Sequence, residues 1–140
     1  MQKSVDGYIE KLENWINEAF QKNDKYLFQD PAYDLLDEVE TLDNKADFLE
    51  PIFRLIERSP DIDFGGPGPF GTFLEKFRDD YIKELLESIK RKPTKYTVFM
   101  LNRLCNAKDN PKRDEYIMLL KTFADCDFLD EYWKQAIAKY

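Results

Sequence analysis

Apolar residues recur at helical spacing along almost the whole chain. The clearest example is an N-terminal stripe that repeats every three or four residues, with charged and amide side chains on the opposite face. The stripe consists of Tyr8, Ile9, Leu12, Trp15, Ile16, Ala19 and Phe20. It predicts a first amphipathic helix that buries this face. Because no segment alternates convincingly between apolar and polar residues as a half-buried strand would, the chain is predicted to be all-α.

Residues that favour helix termini predict where the later helices begin. Asp30-Pro31 predicts the start of the second helix, because an N-cap carboxylate accepts free amides and proline at the first helical position has no amide to lose. Asn44 is the expected cap of a third helix, in which Pro51 predicts a kink or, alternatively, a late start. The last three helices are expected to begin at Thr94, at Asn110-Pro111 and at Asp127. The last of them is expected to bury Phe128, Leu129, Tyr132, Trp133, Ala136 and Ile137, and Phe99 of the helix after Thr94 is expected to be partly in the core.

The order of the apolar stripes also bears on the architecture. The stripe over residues 70–89 fits either one long helix or two helices broken near Asp79. Leu85-Leu86 is echoed by Leu119-Leu120 at about the period of an antiparallel helix pair,. This repeat favours a short HEAT-like stack of helix pairs, and an irregular helical bundle is the alternative. One domain is expected to span residues 1–140, with a Gly/Pro connector at residues 65–69.

The composition excludes several kinds of site. The chain has no histidine, which removes the commonest general base, the usual hydrolytic triads and the commonest nitrogen metal ligand. Cys105 and Cys126 are the only cysteines. They are too few for a zinc site and are expected to be buried thiols in a reducing compartment. We therefore expect no catalytic residues, no metal and no cofactor.

The charge of the chain favours one class of partner. A formal net charge of −7 opposes direct binding to nucleic acid, because phosphates would be repelled, and it favours a protein with a basic surface. No apolar run approaches the length that spans a bilayer, and the N-terminus lacks the features of a secretory signal. No membrane partner is expected, and the expected location is the cytoplasm.

The Gly/Pro segment imitates two ligand-binding motifs. Gly66 to Gly71 reads G-x-G-x-x-G, but Pro67 and Pro69 have no amide to offer a phosphate, and the preceding segment reads as a helix end. Asp61 and Asp63 imitate the start of a calcium loop, yet Thr72 occupies the position that requires a bidentate Glu. The segment is therefore predicted to be a stiff structural connector, and contact with a partner is the alternative.

Acidic and basic residues separate along the sequence. Residues 26–63 contain eleven acids and three bases, whereas residues 83–113 contain nine bases and three acids. Within the acidic region, Asp34, Asp37, Glu38 and Glu40 follow one another closely. They form either a solvated helix face or a surface that attracts and holds a basic protein. If they are only solvated, the Gly/Pro loop with Tyr96, Asn102 and Arg103 becomes the candidate contact surface.

Several short segments between residues 31 and 123 resemble one family of bacterial proteins. The segments are Leu35-Leu36-Asp37-Glu38, Glu50-Pro51-Ile52-Phe53, Asp63 to Pro69, Arg91-Lys92-Pro93-Thr94 and Met100-Leu101-Asn102-Arg103. They resemble small, all-helical immunity proteins of polymorphic toxin and contact-dependent growth inhibition systems. The resemblance implies a protein that binds and neutralises a cognate toxin, and it implies no catalytic residues. The alternative is a helical-repeat adaptor that binds other proteins without inhibiting them.

Overall fold

The computed structural model describes residues 4–140, and this part of the chain is all-α, as predicted. It contains eight α-helices and no strand. They are α1 (Val5–Lys22), α2 (Tyr26–Val39), α3 (Leu49–Arg58), α4 (Gly68–Leu74), α5 (Asp79–Arg91), α6 (Lys95–Cys105), α7 (Arg113–Lys121) and α8 (Glu131–Ala138). Short 3₁₀ turns at Lys45–Phe48 and Glu75–Phe77 precede α3 and follow α4. Residues 1–3 lie outside the described part.

The helices pack as neighbouring pairs around one continuous core. Helix α1 packs on α2, α3 on α5 and α6 on α7, while contacts between α1 and α3 and between α5 and α6 join these pairs. This order suits a stack as well as a bundle. The predicted leucine repeat is out of register by one residue. In Leu85-Leu86 the first leucine is buried, whereas in Leu119-Leu120 the second leucine is buried. The two pairs therefore do not mark equivalent positions.

The second helix begins earlier than Asp30-Pro31 predicts. Helix α2 starts at Tyr26, whose amide donates to Asp24 Oδ1 at 3.1 Å, and Pro31 lies inside the helix. The additional turn carries Phe28, which is completely buried. Burial of a phenylalanine contributes about 2 kcal/mol, and together with the packing of Leu27 against the core it offsets the ~3 kcal/mol that a proline inside a helix costs. Tertiary packing thus outweighs the local capping preference.

Pro51 marks a late start of the third helix, so the kink expected from it is wrong. Helix α3 begins at Leu49, which places Pro51 in its first turn, where a missing amide leaves no intrahelical bond unmade,. Asn44 precedes the 3₁₀ turn instead of α3 and makes no side-chain capping bond there. The stripe over residues 70–89 is divided between α4 and α5 at Arg78, whose backbone has φ 52° and ψ −114°.

The predicted start at Thr94 is confirmed, and the last two starts fall later than predicted. Thr94 and Thr97 form a reciprocal capping box, with each hydroxyl accepting from the other's amide at 3.2 and 3.0 Å,. Asn110 caps a turn instead, where its Oδ1 accepts from the Lys112 amide at 2.9 Å before α7 begins. Helix α8 is capped by Asp130, not Asp127.

Three aromatic residues predicted to be buried are exposed. Phe20 is 64% exposed, Phe128 is 37% exposed and Tyr132 is 73% exposed. Phe128 precedes α8 because that helix begins late, whereas Phe20 on α1 and Tyr132 on α8 face solvent. Of the two cysteines, Cys105 is buried as predicted, whereas Cys126 is half-buried, and both are free thiols.

Candidate protein-binding surfaces

Five side chains on the outer face of α2 form a surface that we call the acidic ridge. Its members are Asp30, Tyr33, Asp34, Asp37 and Glu38, and all five are exposed. The opposite face of the helix packs into the core through Phe28, Ala32, Leu35, Leu36 and Val39. This alternation is the amphipathic pattern of the sequence, so the predicted surface positions of Asp34, Asp37 and Glu38 are confirmed.

Two of the ridge carboxylates, Asp34 and Asp37, are not neutralised within the described part of the chain. Within residues 4–140, neither Asp34 nor Asp37 takes part in an ion pair or a side-chain hydrogen bond. Spaced three residues apart, they lie on the same side of the helix and project negative charge into solvent together. An arriving cation would meet this charge without first displacing a partner within the described chain.

Glu40 belongs to a different environment. It is half-buried at the C-terminal end of α2, and its Oε1 lies 2.8 Å from Lys76 Nζ. The pair ties α2 to the 3₁₀ turn that follows α4. Because this carboxylate already has a partner, it contributes much less negative potential than Asp34 or Asp37. The structure therefore does not group Glu40 with the ridge, although the sequence places it there.

The other three predicted contact residues all lie on α6 and are engaged within the fold. The buried Tyr96 hydroxyl donates to the Pro67 carbonyl at 2.7 Å, and burial raises the pKa of Tyr96 well above its usual value,. Arg103 binds both oxygens of Glu75 at 2.8 and 3.0 Å. These hydrogen bonds raise the pKa of the Arg103 guanidinium. Asn102 Oδ1 accepts from the Tyr140 hydroxyl at 2.8 Å.

The Gly/Pro loop leads into α4, and the residues around it contact α2 and α6, which supports the structural role predicted for the loop. Its first residues are held by Asp63, whose Oδ1 accepts from the Gly65 amide and whose carbonyl accepts from Gln29 Nε2, both at 2.9 Å. Phe64 is buried and touches the rings of Phe28 and Tyr96. The connector is shorter than residues 65–69, because Gly68 and Pro69 are the first two residues of α4.

Two of the glycines are required by geometry. Gly65 has φ +94°, and a Cβ atom there would lie 2.5 Å from Gly68 Cα. Gly71 allows α4 to approach the loop, since a Cβ atom at this position would lie 2.4 Å from Pro67 Cβ and 3.0 Å from the Tyr96 hydroxyl. The glycines thus permit a tight backbone arrangement, and no phosphate-binding role is needed to explain them.

An aromatic cleft lies beside the Gly/Pro loop, where residues 60–65 face α6 and Trp133 of α8. It has a volume of about 430 Å³, and Phe99, Phe128 and Trp133 face it together with Asp61 and Lys95. Across residues 61–63 a second hollow of about 470 Å³ is lined by Phe20 and Tyr26. We use the name aromatic cleft for the first hollow only. Exposed aromatic rings with a polar rim are typical of protein-binding surfaces.

No protein-family model matches this chain, and no curated protein sequence or solved structure matches it significantly. The immunity function implied by the resemblance therefore stays a prediction. Among residues 4–140 no group of three or more side chains is arranged to hold a metal ion. In the same part of the chain, no helix is both long enough and apolar enough to cross a bilayer.

Sequence reasoning missed the aromatic cleft because it assigned these rings to the core. One signal was present in the sequence. Tyr132 and Trp133 are adjacent, and two successive helical positions point about 100° apart, so both rings do not fit one buried stripe. In the structure Trp133 is half-buried and packs edge-on against Phe99, whereas Tyr132 faces solvent.

Proposed function

We propose that this chain is an immunity-type protein of the cytoplasm that binds and neutralises a cognate toxin domain through the acidic ridge. The observation that carries the proposal is the pair of exposed carboxylates of Asp34 and Asp37, which have no partner within residues 4–140. The motif resemblance supplies the class of partner. The net charge of −7 supports a partner with a basic surface.

The physical mechanism is electrostatic capture followed by occlusion. Exposed like charges raise the rate of encounter with a basic surface over a Debye length of about 10 Å at 0.1 M salt. Tyr33 lies among the carboxylates and is 41% exposed, so an aromatic side chain is available for close contact once the surfaces meet. For a toxin that cleaves nucleic acid, the ridge would occupy the basic groove in place of phosphates.

Charge reversal on the ridge tests the proposal. The product of the neighbouring toxin gene is purified with this chain, and association rates are measured by stopped-flow at several salt concentrations. We expect the triple variant Asp34→Lys, Asp37→Lys, Glu38→Lys to associate about tenfold more slowly and to lose most of the salt dependence. Protection of cells that express the toxin should weaken in parallel.

Two control variants separate the ridge from the net charge. The triple variant Glu87→Lys, Asp109→Lys, Asp125→Lys changes the net charge equally at exposed positions away from α2, and it should leave association within about twofold of the original chain. The double variant Lys90→Glu, Lys92→Glu should also have a smaller effect than the ridge variant. Full protection by the ridge variant would show that the acidic run is only a solvated helix face.

A non-inhibitory adaptor is the second candidate function. The aromatic cleft favours it, because exposed rings bind partner segments whether or not the partner is an enzyme. The discriminating measurement is the activity of the bound partner. A stable complex in which the partner keeps its full activity would favour the adaptor over the immunity protein.

A further inference from the structure

A continuous series of aromatic contacts leads from the core to the aromatic cleft. The centroids of neighbouring rings are 5.3–6.2 Å apart along Phe28, Phe64, Tyr96, Phe99, Trp133 and Tyr132. The first three rings are buried, and Tyr132 at the other end is 73% exposed. Because the core holds the inner rings, the outer rings are positioned before any partner arrives. A ligand that stacks on them loses little free energy to ordering them.

The charged groups at the cleft are not equivalent. Asp63 is engaged by the Gly65 amide and by Lys25, whose Nζ lies 3.3 Å from Oδ2. The exposed Asp61 has no hydrogen-bond or ion-pair partner within residues 4–140. Lys95 is the only cation in the lining. The cleft therefore combines preformed aromatic faces with one carboxylate that is available to a ligand.

We propose that the aromatic cleft binds an arginine side chain presented by an exposed segment of a partner protein. A guanidinium group stacks its plane on an aromatic ring and forms two parallel hydrogen bonds with a carboxylate. Trp133 and Phe99 supply the rings, and Asp61 supplies the carboxylate. Asp63 is already paired with Lys25, so Asp61 is the carboxylate that attracts a guanidinium, and the net charge of −7 of the chain favours a cation over an anion,.

The size of the cleft agrees with this occupant. Its volume of about 430 Å³ is within the range of about 300–1,000 Å³ that small-ligand sites occupy, and it leaves room for an arginine side chain with part of its flanking backbone. None of the acidic-ridge residues lines the cleft. The proposal therefore does not rest on the toxin-binding role of the ridge.

The test uses a short synthetic probe and the full chain. Acetyl-Gly-Ser-Arg-Gly-Ser-amide is titrated into the ¹⁵N-labelled protein while the two tryptophan indole resonances are followed by NMR. We expect the Trp133 indole to shift saturably with a Kd of about 1 mM, while Trp15 on α1 does not move. The same peptide with citrulline, which keeps the shape of arginine but has no charge, should bind at least about fivefold more weakly.

Three variants assign the binding to the cleft. Asp61→Asn keeps the shape of an exposed side chain and should weaken the arginine peptide about fivefold, whereas Lys95→Met removes the repelling cation and should strengthen it about twofold. Asp34→Lys on the ridge should leave peptide binding unchanged, so failure of the ridge proposal is distinguishable from failure of this one.

Three outcomes would overturn the proposal. An unmoved Trp133 resonance at millimolar peptide would show that the cleft does not take arginine. Equal binding of the citrulline peptide would make it a site for an apolar or neutral segment. Shifts of Trp133 that depend on protein concentration without peptide would identify a second copy of this chain as the occupant.

Discussion

The same chemical group, a carboxylate, occupies two different environments in this molecule, one inside the helical fold and one on the acidic ridge. Glu57 is 7% exposed, and its Oε2 accepts from Ser88 Oγ at 2.7 Å and from Arg91 Nη2 at 2.8 Å. Asp34 and Asp37 are exposed and have no such partner within residues 4–140. The Glu57 carboxylate holds helices together, whereas Asp34 and Asp37 contribute a negative field that has no partner within residues 4–140 and is available to a second molecule.

The comparison also shows that the charge separation along the sequence is partly cancelled by folding. Arg91 and Arg103 come from the basic region, yet they pair with Glu57 and Glu75 across helix contacts. Two of the cations of the basic region are thus engaged in internal contacts. Within residues 4–140, Asp34 and Asp37 of the ridge have no such internal partner, and together with the net charge of −7 this makes the acidic region the better candidate for an interface,.

The largest expected effect comes from breaking the internal pair. Arg91→Ala leaves the buried Glu57 carboxylate with the more distant Arg54, whose Nη1 lies 3.9 Å from Oε1, as its remaining cation within residues 4–140. The substitution should lower the free energy of unfolding by about 2 kcal/mol. This is less than the ~3–5 kcal/mol of a fully buried pair, because the Arg91 side chain keeps 24% of its exposure,. Urea denaturation followed by circular dichroism measures the loss.

Arg58→Ala is the matched control. Arg58 also joins two helices, with its Nε 3.2 Å from Glu13 Oε2, but the two side chains are 49% and 39% exposed. Exposed pairs contribute at most about 1 kcal/mol. Equal losses for the two arginine variants would contradict the distinction between internal and surface carboxylates.

Buried tyrosines extend the comparison to alkaline pH. Burial is the main cause that raises the pKa of Tyr81, and the charge of Glu75 adds to it. The folded pKa is therefore above the unfolded value of about 10, so stability is complete below pH 10 and falls as the unfolded chain deprotonates. Each such tyrosine should lower the free energy of unfolding by about 1.4 kcal/mol at pH 11.

Tyr81→Phe should reduce the loss of unfolding free energy at alkaline pH by the contribution of one tyrosine. The variant and the original chain are unfolded in urea at pH 7 and at pH 11, and the difference between the two pH values is compared. If the difference is the same in both proteins, Tyr81 does not titrate in the way that its burial requires.

At neutral pH, substitution of Tyr96 and of Tyr81 by phenylalanine should have different effects on stability. Tyr96→Phe removes the hydroxyl that donates to the Pro67 carbonyl at 2.7 Å and leaves this half-buried carbonyl with the weaker bond from the Gly71 amide at 3.3 Å. The expected loss of stability is about 1 kcal/mol. The Tyr81 hydroxyl is buried and has no hydrogen-bond partner in the described chain, so Tyr81→Phe should be neutral or slightly stabilising at pH 7. The opposite order of the two variants would refute the assignment.

Periodicity and capping residues predicted much of the fold because they act locally. The first helix, the Thr94 cap and the exposed side of α2 all follow from side chains within one or two turns. Where local and tertiary preferences compete, the sequence pattern failed. Asp30-Pro31 is a good helix start in isolation, and only the burial of Phe28 and the packing of Leu27 explain why α2 begins before it.

The features of the candidate surfaces also divide into those that the local sequence determines and those that depend on the packing of distant segments. Exposure of Asp34 and Asp37 was predictable, because the apolar stripe of their own helix determines it. The pairing of Glu40 with Lys76 and of Arg103 with Glu75 was not, because these partners meet only after distant segments pack. An apolar stripe indicates which face turns inward but not how far a neighbouring helix covers it. For that reason the aromatic cleft was not predicted.

The smallest expected effect is a gain of stability on the ridge. Asp30, Asp34 and Glu38 are four residues apart on α2, and like charges at this spacing are destabilising by about 0.2–0.5 kcal/mol per pair. Asp34→Lys replaces two repulsions by two attractions, four contributions of about 0.2 kcal/mol each at an exposed site, and should raise the free energy of unfolding by about 0.8 kcal/mol in dilute buffer. Asp34→Asn, which only removes the repulsion, should give about half of this gain.

Two further measurements, stability in high salt and association with a basic partner, test the cause of this gain in stability. In about 1 M salt the Debye length falls to about 3 Å, so the stabilisation by Asp34→Lys should largely disappear. The same variant should slow association with a basic partner, because residues that serve binding are often not those that maximise stability. A variant that is less stable in dilute buffer, or equally fast in binding, would show that Asp34 is either a structural residue or an ordinary solvated one.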